Sequence, residues 1–85
     1  MNNLENWKEA TKGIYRYVIA ANVCYEIHIL MWNHKTDILS ANAHLFISGE
    51  WLDGDATYFE RELLFVGPVA SCLGAAIEDN KQNNN

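Results

Sequence analysis

Eleven Asp and Glu against six Lys and Arg in 85 residues give a formal net charge of -5. Such a chain repels nucleic-acid backbones and anionic lipid surfaces, which are held by clustered Lys and Arg, and it has no uninterrupted apolar run of about eighteen residues to span a bilayer. At 49% hydrophobic, with three Trp, four Tyr and three Phe, it makes a single domain carrying more apolar bulk than a small monomer easily hides, so self-association is expected.

The opening "MNNLENWKEA" lacks the basic start and apolar stretch of a secretion signal, so a cytoplasmic location is the default expectation. Asn3 caps a first helix, with Glu5 and Glu9 favourably placed in its early turns and Leu4, Trp7 and Thr11 on the inward stripe. Helical spacing continues across Gly13 through Ile14, Val18 and Ala21, but "IYRYVI" is dense in aromatic and β-branched residues whose χ1 suits a strand. The favoured reading is a helix to Gly13, a strand from Ile14 to Ala20 and a turn at Ala21 and Asn22.

In "VCYEIHILMW", Tyr25, Ile27, Ile29 and Met31 alternate onto a core face, and Cys24, Glu26, His28, Leu30 and Trp32 onto the other. "NHKTD" is a polar turn. "ANAHLFISGEWL" resumes the alternation with Ala43, Leu45 and Ile47 inward and His44, Phe46 and Ser48 outward, and Gly49 marks a bulge. "LDGDA" is a hairpin turn rather than a calcium loop, because the remaining ligand positions and the closing Glu are missing. The strand "TYFERELLFV" places Phe59, Leu63 and Phe65 inward and Tyr58, Glu60, Glu62 and Leu64 outward, which leaves Arg61 on the wrong side.

Gly67 and Pro68 stop the sheet and start a helix whose stripe is Val69, Cys72, Leu73, Ala76 and Ile77. Its other side, Ala70, Ser71, Gly74 and Ala75, is smooth, so either the first helix or a second subunit is expected to pack there. The polar "DNKQNNN" closes the chain; residues 1–79 form the domain and 80–85 a disordered tail. The fold class is α+β: an N-terminal helix, an antiparallel meander of four (or three) strands, and a C-terminal helix on one sheet face. With the first helix running through Gly13, the order helix, three strands, helix resembles that of double-stranded-RNA-binding domains. The resemblance covers element order alone, since the lysines that open the second helix of such domains are absent from "GPVASCLG".

Chemistry is sparse. Glu26 and His28, about 7 Å apart at their bases on one strand face, could share a metal ion with His44, and Glu60 and Glu62 lie within reach in a meander; yet no dedicated ligand spacing appears, and no metal or other cofactor is expected. Ser40, Ser48 and Ser71 have no nucleophile context, and Cys24 and Cys72 read as small buried hydrophobes without a neighbouring base. Lys8, Lys12 and Arg16 make a basic stripe only on an extended first helix, enough for a weak phosphate grip. What remains is an outward face bearing Glu26, His28, Trp32, Phe46, Tyr58, Glu60 and Glu62, acidic and aromatic as contact surfaces are. The expectation is a non-enzymatic accessory or adaptor module that contacts a protein partner through this face and forms a homo-oligomer, without direct nucleic-acid or membrane binding. The alternative is an acidic inhibitor or nucleic-acid mimic from a mobile element or phage that binds a basic protein; a metal-binding protein ranks third.

Overall fold

A computed structural model describes residues 4–20, 23–30, 37–49 and 60–83. Five strands, β1 (Lys8–Thr11), β2 (Ile14–Ala20), β3 (Val23–Ile29), β4 (Asn42–Gly49) and β5 (Glu60–Pro68), form one antiparallel sheet in sequence order. The helix α1 (Val69–Asn83) lies over β3, β4 and β5 on one face. The architecture is α+β, with alternation in the strands and a helical stripe above them meeting in one core.

That core is Tyr25, Ile27, Ala43 and Leu45 from the sheet and Val69, Cys72, Leu73 and Ala76 from α1, all buried, closed at one side by Trp7. The Trp7 ring packs against Tyr17, tilted by 48° with 5.5 Å between centroids, and so extends the cover onto β2. A short 3-10 turn (Ile38–Ser40), capped by the Asp37 side chain, brings Leu39 and Ala41 onto the core. The Ala41 carbonyl accepts from the amide of Val69, so one of the donors that a helix start leaves without an intrahelical partner is satisfied by a neighbouring element. Deeper in, the buried Tyr25 hydroxyl donates to Asp79 on α1 at 2.6 Å, tying the middle of the sheet to the last turns of the helix.

The N-terminal helix expected up to Gly13 is not there. Leu4–Asn6 is a single 3-10 turn, and Lys8–Thr11 is an edge strand whose four residues are all exposed. A helix of that length is marginal unless tertiary packing holds it, and of the expected stripe only Trp7 is fully buried. Pairing with β2 satisfies the backbone instead: Thr11 pairs with Ile14 across Lys12 and Gly13, and Gly13 adopts φ +84, a left-handed conformation open to glycine at little cost. Five strands therefore replace the expected four, and the likeness in element order to double-stranded-RNA-binding domains lapses with the helix. Nothing lies within 4 Å of a Cβ built on Gly13, so Gly13→Ala tests backbone strain alone. It should cost about 1 kcal/mol, read as a lower urea midpoint at unchanged slope; an unchanged midpoint would mean the turn relaxes freely.

Strand Ile14–Ala20 and the core faces of β3 and β4 fall where the alternation places them. Gly49 continues the β3 and β4 pairing without a shift, so the expected bulge is not at that glycine; register slips between Glu9 and Thr11, between Val18 and Ala20, and opposite Leu45 and Phe46. α1 runs to Asn83, so 80–83, expected in a disordered tail, are helical. Ala70, Ser71 and Gly74 are exposed, and nothing lies within 4 Å of a Cβ on Gly74; no N-terminal helix packs over this side. The turns expected at residues 21–22, 33–36 and 52–56 lie outside the described residues.

Candidate functional site

Cross-strand partners point to the same face of a sheet, so the register alone assembles the side opposite α1. Arg16 on β2 pairs with Glu26 on β3, and Glu26 pairs with Phe46 on β4; one step along, Cys24 pairs with Ser48, and Ser48 with Arg61 on β5. Arg61 is there because β5 carries one extra residue. Leu45 pairs with Phe65 but Phe46 pairs with Leu63, leaving Leu64 unmatched. That bulge turns Arg61 and Leu63 to the side opposite α1 and puts Glu62, the partner of Ile47, on the α1 side.

Glu26 is 0% exposed, as is Ser48 beside it. Its carboxylate accepts from Arg16 Nε at 2.5 Å, Arg61 Nε at 2.7 Å and Ser48 Oγ at 3.1 Å, and His28 Nε2, in its protonated tautomer, donates at 3.2 Å. Arg61 comes from two strands away, roughly 9.6 Å at normal strand spacing, and the small Ser48 side chain leaves room for its stem to pass. Burial pushes the Glu26 carboxyl up, but the hydrogen bonds from Arg61, Arg16 and His28 outweigh it and hold it down at about 2. Among the described residues every buried side-chain nitrogen and oxygen has a partner. A carboxylate held in this way is a poor general base and a strong organiser of the arginines above it.

Around this centre the surface is apolar. Val18 and Val66 are exposed at 66% and 53%, Leu63 at 51%, and Phe46 is half-buried with its ring 4.7 Å from that of His28 and 5.9 Å from that of His44. A groove of about 360 Å³ borders it, lined by Lys8, Glu9, Ala10, Arg16 and Val18. The described charges on this face are Lys8, Arg16 and Arg61 against Glu26, so its described part is not acidic.

Of the expected contact residues, Glu26, His28 and Phe46 come together. Glu62 lies on the α1 side by its pairing, and Glu60 is placed only by its backbone pairing with Gly49. Trp32 and Tyr58 lie outside the described residues. The metal candidates His28 and His44 are cross-strand partners, yet among the described residues no three His, Cys, Asp or Glu gather as a cation would need. Arg16, Ser48 and Arg61 were missed as site residues. The one trace of them in the sequence is Arg61 itself, out of phase with its strand because the bulge had shifted it.

The two cysteines are buried, unpaired and on opposite faces: Cys24 beside Ser48, and Cys72 beneath α1, where its thiol contacts the carbonyls of Ala43 and Gly67. Burial raises the pKa of both thiols, which keeps them protonated and unreactive. No helix of the described residues is long and apolar enough to cross a membrane. Compared with family models, with curated proteins and with solved structures, the chain matches none.

Proposed function

We propose that this protein is a small non-enzymatic interaction module, an accessory or adaptor, that binds a protein partner through the sheet face opposite α1. The observation that carries the reading is the buried Glu26 network, a polar centre built on a face that no described helix covers and ringed by exposed Val18, Leu63 and Val66. Arginine and aromatic anchors inside an apolar patch are what dominates affinity at protein contacts. Here Glu26 fixes Arg16 and Arg61 in advance, so binding loses little of their rotamer freedom. A phosphate-mimicking inhibitor needs a row of carboxylates. With Glu26 covered and Glu62 turned away, the described residues of this face do not supply one, and we prefer the contact reading.

The test is a comparison of variants in capture from the native host. A partner retained by the wild type should be lost with Val18→Asp, on this face, and kept with Ser71→Asp, on the exposed side of α1. Loss with Ser71→Asp and retention with Val18→Asp would move the binding surface to the helix and end the proposal. Retention that collapses only at high salt would favour the acidic-inhibitor reading.

A further inference from the structure

We propose that two copies of this chain join along the outer edge of β5, in antiparallel two-fold pairing that sets Leu63 of each copy against Val66 of the other and continues the sheet across both. The inference goes beyond the partner reading and does not depend on it, although Leu63 and Val66 also border the contact face.

The two ends of the sheet are built differently. β1 is four residues long, interrupted by a bulge between Glu9 and Thr11, and carries Lys8 and Glu9; shortness, bulges and charge are how proteins protect an edge from pairing. β5 is nine residues long; it too has a bulge, at Leu64, with Glu60, Arg61 and Glu62 at its start and Pro68 at its end, but between them the five residues from Leu63 to Gly67 carry no charge. Two of the large apolar side chains exposed on the described surface, Leu63 and Val66, sit on this strand, and no described strand lies beyond it. A long edge with an uncharged middle of this kind is a template for another strand.

Self-pairing is favoured by the bulge. Leu63 pairs with Phe46 and Val66 with His44, so the two face the same way although three positions apart, because Leu64 is the extra residue. A two-fold axis at the middle of β5 then brings together both Leu63 and both Val66 side chains in one apolar cluster. The same register places Glu62 opposite Gly67 and Arg61 opposite Pro68, so no like charges meet. A register centred on Glu62 would set two carboxylates against each other, at a cost in cross-strand energy. A pairing that returns each residue to its counterpart's partner closes as a dimer and leaves no growing end. The first two turns of α1, which follow β5 directly, expose the small residues Ala70, Ser71 and Gly74.

Sedimentation equilibrium on the full chain from about 1 μM to about 1 mM tests this. The expected result is a reversible monomer–dimer equilibrium that tightens as salt is raised, because each copy carries -5 and the contact is apolar. Val66→Lys and Leu63→Lys should each weaken the dimer at least tenfold, with thermal unfolding of the dilute monomer unchanged because both side chains are exposed. Val18→Lys, equally exposed on the same face but on β2, should leave the dimer intact. Amide exchange in β5 should slow as concentration rises while that in β1 does not. A monomer throughout the range overturns the proposal, as does a dimer that Val18→Lys breaks and Val66→Lys does not, the signature of faces stacking.

Discussion

Glu26→Gln should lower the free energy of unfolding by about 3 kcal/mol, the low end of what removing one partner from a buried ion pair costs. Glutamine keeps the shape and an accepting oxygen but leaves two guanidiniums facing a neutral group. The low end applies because Arg16 and Arg61 are 29% and 37% exposed and can turn partly toward water. Arg16→Gln or Arg61→Gln should each cost less, about 1 kcal/mol, since the carboxylate keeps its other donors. For a domain of this size total stability is roughly 4 to 13 kcal/mol, so the Glu26 variant should lose a large part of its margin. Urea titrations at matched slopes measure all three. Equal costs for the glutamate and the arginines, or none for the glutamate, would mean that the network adds nothing that water does not.

A companion variant separates stability from surface. Replacing Glu26, Arg16 and Arg61 together by apolar residues of similar volume removes the desolvation cost along with the pairing, and such replacements often leave stability unchanged or improved. If the triple variant is stable but binds no partner, the network organises the face and is not needed to hold the fold.

How much of this could be read from the residues depends on whether a signal is local. The core faces of β3 and β4 follow from Tyr25, Ile27, Ala43 and Leu45 at every second position, and α1 follows from Val69, Cys72, Leu73 and Ala76 at helical spacing after a Gly-Pro stop; each signal sits within a few residues. The first helix failed because Asn3, Glu5 and Glu9 are good helix-start residues whose preference is worth only tenths of a kcal/mol to about one. Burying Trp7 alone while pairing Lys8–Thr11 to β2 outweighs that. The bulge in β5 has no signature: Leu63, Leu64 and Phe65 are all apolar, and any of the three is an acceptable extra residue. Since a one-residue slip turns every following side chain over, that silent bulge misplaced Arg61 and Glu62 together. The site was misread with them, because an isolated Glu26 looks solvent-facing, while a Glu26 beneath Arg61 is the centre of a network.

Acid should expose that network directly. The Glu26 carboxyl titrates near 2 in the folded chain against an ordinary value of 4.5. As pH falls the unfolded chain takes up the proton first, so stability falls with it. The Glu26 contribution is therefore fully present above about pH 4.5 and lost progressively down to about pH 2, on the order of 3 kcal/mol in all at about 1.4 kcal/mol per pH unit. Glu26→Gln should flatten this limb of a stability–pH curve without moving the alkaline one. At high pH the sign reverses and the group changes. Burial first, then its hydrogen bond to Asp79, push the Tyr25 hydroxyl well above its ordinary 10.0. Its contribution is present below about pH 10 and declines as pH rises past that value, because the unfolded tyrosine ionises first. Tyr25→Phe should remove the alkaline limb and leave the acid one, and Glu26→Gln the reverse. An acid limb that survives Glu26→Gln would assign it to other carboxylates and count against a buried, charged Glu26.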